Sequence, residues 1–231
     1  MNERTKKLFT ATAVLFLIFL LFTLAVKVID VKAIGPQGSE VGFAAVNSLF
    51  FKGEVKNGWY KLTELLGYLA ILVAAGFAVL GGLQLVKRRS LAKVDTEIII
   101  LAVFYILTMC FYVLFEKLIV NYRPVIIDLE EGLEASYPSS HTVLTVCIMG
   151  SAVFMIRKYL AGTALELPLQ AACAVTALLT IIGRLVSGVH WFTDIIGGIL
   201  LSAALVMLFY SACELLCGSE KGAGYRPAHL K

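Results

Sequence analysis

The stretch from Gly183 to Asp194, GRLVSGVHWFTD, places an arginine, a histidine and an aspartate between two long apolar segments. Ionisable side chains at the boundary of a membrane are rare and are usually functional. His190 and Asp194 are four residues apart, a spacing that puts both side chains on one face of a helical turn. The stretch therefore predicts a carboxylate–imidazole pair at the end of a membrane helix. In such a pair Asp194 orients His190 and leaves its second ring nitrogen free as a nucleophile.

The rest of the chain is apolar over most of its length. Of its 231 residues 59% are hydrophobic, and the mean hydropathy is +0.87, which indicates a membrane protein. A hydrocarbon core of ~30 Å is crossed by ~20 helical residues. The sequence therefore predicts an all-α polytopic membrane protein, a six-helix transmembrane bundle that forms one domain over residues 1–231. The predicted spans are 8–26, 63–86, 97–116, 142–156, 168–183 and 193–217.

Orientation follows from the distribution of basic residues, which concentrate on the cytoplasmic side of membrane proteins. Most of the 20 lysines and arginines fall in the two termini and in the second and fourth loops: Arg4, Lys6, Lys7, Lys87, Arg88, Arg89, Lys93, Arg157, Lys158, Lys221, Arg226 and Lys231. Lys52 is among the fewer basic residues on the other side. Both termini are therefore predicted to be cytoplasmic, and the candidate site to face outward. The net charge of +4 follows from this topology and does not indicate a nucleic-acid partner.

Three other features have less specific interpretations. Residues 1–26 are predicted to be a retained anchor rather than a cleaved signal peptide. The apolar run from Val41 to Phe51 either lies flat at the outer membrane surface or packs within the first outer loop. The five cysteines lie in or beside apolar segments without metal-ligand spacing, so we expect no metal site and no cofactor.

The loop between the third and fourth spans carries a second group of polar residues. It contains Arg123-Pro124, an acidic run and the sequence Ser139-Ser140-His141. The acidic run is interpreted as a solvated surface, or alternatively as an electrostatic gate or a site that contacts a cationic head group; it consists of Asp128, Glu130, Glu131 and Glu134. Arginine binds phosphate oxygens in a bidentate manner, which suits Arg123 and Arg184 to cradle a phosphate. Ser139 and Ser140, at a predicted helix start, can add hydroxyl and backbone N–H groups.

Together these residues predict phosphate-ester chemistry. His190 is the expected nucleophile, and Asp194 stabilises the positive charge that it acquires. His141 is the expected general acid for the leaving group and afterwards the base for water. Each residue has an ordinary interpretation when taken alone: a structural histidine, or an arginine that snorkels to head groups. Their shared position on one predicted face of the bundle favours a catalytic site.

These motifs resemble those of the type 2 phosphatidic acid phosphatase family of integral membrane lipid phosphatases. That family has three motifs: Lys-x6-Arg-Pro, Pro-Ser-Gly-His and Ser-Arg-x5-His-x3-Asp. The third is matched from Arg184 to Asp194, the second by Pro138–His141, and the first keeps Arg123-Pro124. The motif-bearing core covers about 97–217. The resemblance implies a metal-independent lipid phosphatase that works through a phosphohistidine.

The chain departs from the family pattern at three positions. Gly183 stands in place of Ser, and Ser140 in place of Gly. The family's lysine position is Glu116, and Lys117 follows one residue later. One residue turns a helical side chain by ~100°. Either the local helix is distorted so that Lys117 reaches the phosphate, or the site works with two arginines; we favour the first.

The resemblance implies a membrane lipid phosphate as substrate: an isoprenoid diphosphate carrier such as undecaprenyl diphosphate, phosphatidylglycerol phosphate or phosphatidic acid. Small size favours a bacterial plasma-membrane protein with an extracytoplasmic site. One alternative is a phosphotransferase, in which a hydroxyl acceptor replaces water. Alternatives of another class are a non-catalytic transporter and a scaffold. A transporter is disfavoured because no interrupted helices recur in two halves of the chain.

Overall fold

A computed structural model describes residues 2–51 and 53–218. Four basic residues used above to predict the orientation lie outside this range: Lys52, Lys221, Arg226 and Lys231. The described part is helical, with two short 3-10 turns at Pro36–Gly38 and Leu91–Lys93.

Six long helices and one short helix make up the described fold. They are α1 (Glu3–Val28), α2 (Ala44–Phe50), α3 (Asn57–Arg88), α4 (Thr96–Lys117), α5 (Ser140–Leu160), α6 (Glu166–Val186) and α7 (Phe192–Cys217). All except α2 are long and apolar enough to cross a membrane, which confirms the six predicted spans. Each long helix begins before its predicted span, because polar residues at the ends continue the helical hydrogen bonds.

Helices α5 and α7 form the centre of the bundle, and the other long helices pack around them. Phe209 of α7 lies between Phe104 of α4 and Phe154 of α5, with ring centroids 5.2 and 5.5 Å apart. Helix α1 runs along α7, where the hydroxyls of Thr12 and Ser211 are 3.1 Å apart. The outward faces of α1, α3 and α4 expose leucine and valine side chains, as expected for helices that contact lipid.

At one end of the bundle a folded loop joins α4 to α5. Its two arms pair at Tyr122 and Ala135, and the N–H of Ser136 donates to the carbonyl of Asn121. The indole N–H of Trp191 donates to the carbonyl of Tyr122 at 2.7 Å, which fastens this loop to the start of α7. The α4–α5 loop therefore has a fixed position over the helix ends.

The apolar run between the first and second spans forms α2, which agrees with the interpretation that it packs within the loop. Asn47 is buried, and its amide accepts from the N–H of Thr193 and donates to the Thr193 hydroxyl. On the other side of the helix, 72% of Leu49 is exposed. Helix α2 thus packs on the start of α7 and presents an apolar face outward.

Candidate active site

The predicted site residues come together at the end of the bundle opposite to Asn2 and Gly218. His141 is the second residue of α5, Arg184 lies in the last turn of α6, and Asp194 lies in the first turn of α7. His190 belongs to the short loop between α6 and α7. Three helix ends therefore converge on one polar centre.

His190 and Asp194 are adjacent, but not through the helical turn that their spacing predicts. His190 precedes α7, whose N-cap is Trp191, so the expectation of a shared helical turn is wrong. His190 Nδ1 and Asp194 Oδ2 are 3.7 Å apart, which is longer than a hydrogen bond. Catalytic contacts are often long in an empty site and shorten once the reaction begins. A cationic phosphohistidine would draw this pair together.

Asp194 is fully buried and accepts three hydrogen bonds. Its Oδ2 accepts from the Ser136 hydroxyl at 2.7 Å and from the Trp191 N–H at 2.9 Å. Its Oδ1 accepts from the Asn121 amide at 3.2 Å. The carboxylate therefore caps α7 and fixes the α4–α5 loop in addition to facing His190.

The imidazole of His190 has a defined tautomer. Its Nε2 lies 3.3 Å from Nη2 of Arg184, and a guanidinium can only donate, so Nε2 is the acceptor and carries a lone pair. The proton is then on Nδ1, which faces Asp194. Burial lowers the pKa of His190 well below its usual value, and the charges of Arg184 and Arg123 act in the same direction. The ring is therefore neutral and nucleophilic at pH 7.

Arg184 is buried, and its charge is balanced by a residue that the sequence analysis did not identify. Its Nη1 lies 3.0 Å from Oε1 of Glu64 and 3.3 Å from the hydroxyl of Thr63, both on α3. The guanidinium also stacks over the ring of Tyr60, 5.3 Å from its centroid. Its Nε has no hydrogen-bond partner among the described residues, so one donor is left for a ligand.

Arg123 reaches the site from the α4–α5 loop. Its Nε lies 2.9 Å from Oε2 of Glu134, but the N–H points away from the carboxylate, so the contact is an ion pair without a well-directed hydrogen bond. Glu134 belongs to the acidic run, which is thus partly an internal counter-charge rather than wholly a solvated surface. Within the described chain, Nη1 of Arg123 is also without a partner.

A cavity of about 380 Å³ opens beside Arg123. Glu116, which stands at the family's lysine position, and Lys117, which follows it, both line this cavity. Among the described residues no ion pair joins Lys117 to the site. The cavity continues between apolar side chains of α4 and α5, among them Phe111, Phe115 and Val143.

The two predicted serines have different surroundings. The Ser140 side chain lines the cavity. Ser139 is buried behind it, where its hydroxyl accepts from Thr142 and its N–H donates to the carbonyl of Asp194. No side chain caps the first turn of α5, so the N–H groups there are open to an anion.

Position 183, where this chain has glycine and the family has serine, lacks space for a side chain. A Cβ built on Gly183 would lie 2.5 Å from the Thr63 methyl and 3.3 Å from the Trp59 ring. In this chain Thr63 fills the space beside residue 183 and supplies a hydroxyl to Arg184. The hydroxyl lost at residue 183 is thus replaced from α3.

Comparisons with known proteins identify the family and the fold. The family model described as PAP2 superfamily matches residues 97–214. The chain belongs to the PAP2 superfamily. It is therefore an integral membrane protein of the type 2 phosphatidic acid phosphatase family, whose membership supports phosphatase activity on lipid phosphates.

One solved structure is similar over most of the molecule. It is a transmembrane PAP2-type phosphatidylglycerolphosphate phosphatase from Bacillus subtilis, with 20% identity and a TM-score of 0.60. The match covers 89% of this chain and 96% of that one, which shows a shared fold. No curated protein matches the chain.

Across residues 2–51 and 53–218, no group of three or more His, Cys, Asp or Glu side chains is arranged to hold a metal ion. The polar groups at the site are instead two guanidiniums, two imidazoles and the carboxylates that pair with them. This set suits an anionic ligand and nucleophilic chemistry at His190.

Proposed function

We propose that the protein hydrolyses a phosphate ester of a membrane lipid through a phosphohistidine on His190, without a metal ion. The contact between Arg184 and Nε2 of His190 is the principal support, because it leaves a lone pair on the nitrogen beside a phosphate-binding guanidinium. The neutral state of the buried imidazole supports the same role.

The proposed reaction has two steps. In the first, Nε2 of His190 attacks phosphorus, the bond to the leaving oxygen breaks, and His141 gives that oxygen a proton. In the second, His141 removes a proton from water, whose oxygen attacks phosphorus and breaks the P–N bond. Inorganic phosphate leaves and both imidazoles return to their starting states. Asp194 stabilises the Nδ1 proton throughout, while Arg123 and Arg184 bind the phosphoryl oxygens.

Phosphatidylglycerol phosphate is the first substrate that we propose, since the B. subtilis protein of the same fold is a phosphatase of that lipid. Phosphatidic acid and undecaprenyl diphosphate are the other candidates. The apolar side of the cavity suits a lipid chain beside Arg123. The distribution of Arg88, Arg89, Arg157 and Lys158 favours a site on the extracytoplasmic side of a bacterial plasma membrane.

The test is phosphate release by the purified protein in detergent with EDTA. The three lipids are compared, with His190→Ala as the control. We expect release in EDTA, loss of release in the variant, and an acid-labile phosphoenzyme in the unsubstituted protein after a rapid quench. A folded protein that releases phosphate from none of the three lipids would overturn the proposal.

A further inference from the structure

Glu64 contacts two of the side chains to which the proposed mechanism assigns roles. A single atom, Oε1, lies 3.0 Å from Nη1 of Arg184 and 3.1 Å from Nε2 of His141. These two groups belong to different helices and have different proposed roles, one in phosphate binding and one in proton transfer. A carboxylate from α3 therefore joins them.

The two partners of this ion pair differ in how far they are buried. Only 1% of the Arg184 side chain is exposed, compared with 28% for Glu64. A buried guanidinium requires a counter-charge, and Arg184 is also held by Thr63 and Tyr60. Glu64 is the more exposed of the two side chains and is therefore the partner that can move. The structure thus combines a fixed cation with a displaceable anion.

Arg123 is likewise paired with a carboxylate, that of Glu134, at 2.9 Å. Both arginines that face the site therefore already have a carboxylate partner. A phosphate dianion must replace these partners to bind the guanidiniums, and any carboxylate that remains beside it is repulsive. Phosphate binding is then an exchange of anions. The net gain in binding free energy is smaller than for binding to two unpaired arginines.

We propose that Glu64 is a positioning residue that serves as the internal counter-anion of Arg184. Before substrate binds, Glu64 holds Arg184 and His141 in place. It moves away from Arg184 when the phosphate group of the substrate binds there, and it returns when inorganic phosphate leaves. This inference rests on the proposed function for the identity of the anion. Because Glu64 competes for Arg184, inorganic phosphate is bound weakly and leaves the site rapidly.

The test compares Glu64→Gln with Glu130→Gln, which removes an exposed carboxylate from the α4–α5 loop. Binding of inorganic phosphate is measured from the rise of the denaturation midpoint with phosphate concentration, without lipid. For Glu64→Gln we expect the Kd for phosphate to fall about tenfold, because the competing charge is gone and the amide keeps the shape. The control should match the unsubstituted protein.

The direction of this change separates the proposal from a merely structural role. A residue that only supports Arg184 would weaken phosphate binding when replaced, so unchanged or weaker binding overturns the proposal. If Glu64→Gln does not fold, Glu64→Asp keeps the charge on a shorter side chain that reaches Arg184 less closely. Its Kd for phosphate should fall about threefold, and again an unchanged or larger Kd overturns the proposal.

Turnover provides a second readout. Glu64→Gln should show lower KM, stronger inhibition by inorganic phosphate and a kcat reduced severalfold, since product leaves slowly and the partner of His141 has lost its charge. Failure of the proposed function is seen separately, as absence of phosphate release from any lipid by the unsubstituted protein. The phosphate titrations without lipid would still decide the role of Glu64.

Discussion

The guanidinium of Arg184 covers the nucleophilic nitrogen of His190, with Nη2 and Nε2 3.3 Å apart. Both side chains are buried, and Arg184 is held from its other side by Glu64. A phosphate group can reach Nε2 only when the guanidinium turns its donors from the imidazole to the phosphoryl oxygens. In the proposed mechanism the same arginine would protect the lone pair before substrate binds and would hold the phosphoryl group afterwards.

Replacement of Arg184 by lysine tests this double role. Lysine keeps a positive charge but has no planar fork, so it cannot contact Glu64, His190 and a phosphate in one geometry. We expect Arg184→Lys to lower kcat/KM about 100-fold with the helical fold retained. The measurement is lipid-phosphate hydrolysis together with circular dichroism. Activity within twofold of the unsubstituted protein would show that charge alone suffices.

Asp194→Asn should affect both activity and stability. The amide nitrogen of asparagine is a donor and would face the donors of Ser136, Asn121 or Trp191, so a buried hydrogen bond is lost. We expect a loss of about 1–3 kcal/mol in the free energy of unfolding and a kcat at least about 100-fold lower, because the phosphohistidine loses its counter-charge. Thermal denaturation and hydrolysis assays measure the two effects.

Ser136→Ala is the matched control for Asp194→Asn. It removes one hydrogen bond to the carboxylate and leaves its charge beside His190. Its loss of stability should be similar, about 1–3 kcal/mol at most, with a much smaller loss of kcat. Equal losses of kcat in the two variants would show that packing of the loop, rather than the charge of Asp194, limits the reaction.

Gly67 lets α3 approach His141, the proposed general acid. A Cβ at this position would lie 3.2 Å from Cδ2 of His141, so alanine would push the ring by a few tenths of an ångström. We expect Gly67→Ala to lower kcat about threefold to tenfold, because proton transfer depends on ring position. Gly76→Ala is the control on the same helix, where a Cβ meets no atom within 4 Å. Equal kcat values for the two variants would contradict this assignment.

The sequence is sufficient to predict the helices and those site residues that are close along the chain or lie on the same predicted face. Long apolar runs are sufficient to define membrane spans, and Arg184, His190 and Asp194 are close along the chain. Arg123 and His141 could be added because they fall on the same predicted face. The turn that joins His190 to Asp194 could not be predicted correctly, since the position of the α7 N-cap at Trp191 depends on its contacts with the α4–α5 loop.

The partners of the site residues were missed because they come from distant parts of the chain. Glu64 is 120 residues from Arg184, and Asn121 is 73 residues from Asp194. Spacing along the sequence carries no information on such contacts. One signal for Glu64 was present, because it is a carboxylate inside the predicted span 63–86, where an ionisable residue is costly and usually functional.

Lys117 provides a test of the altered first motif. It lines the cavity next to Arg123, together with Glu116. If its ammonium reaches the phosphate, Lys117→Met should raise KM and lower kcat, each severalfold. Lys61→Met is the control, because Lys61 is an exposed lysine near the start of α3. Unchanged kinetics for Lys117→Met would place this lysine outside the site and leave phosphate binding to the two arginines.

The proposed orientation can be measured with two single cysteine substitutions at opposite ends of the bundle. Glu130 is exposed on the α4–α5 loop beside the site, and Arg89 is exposed at the end of α3 far from it. Because basic residues concentrate at the Arg89 end, a membrane-impermeant maleimide should label Glu130→Cys in intact cells. Arg89→Cys should be labelled only after permeabilisation. The unsubstituted protein gives the background from its own five cysteines. The reverse labelling pattern would place the site on the cytoplasmic side, and its lipid substrate would then have to be drawn from the inner leaflet.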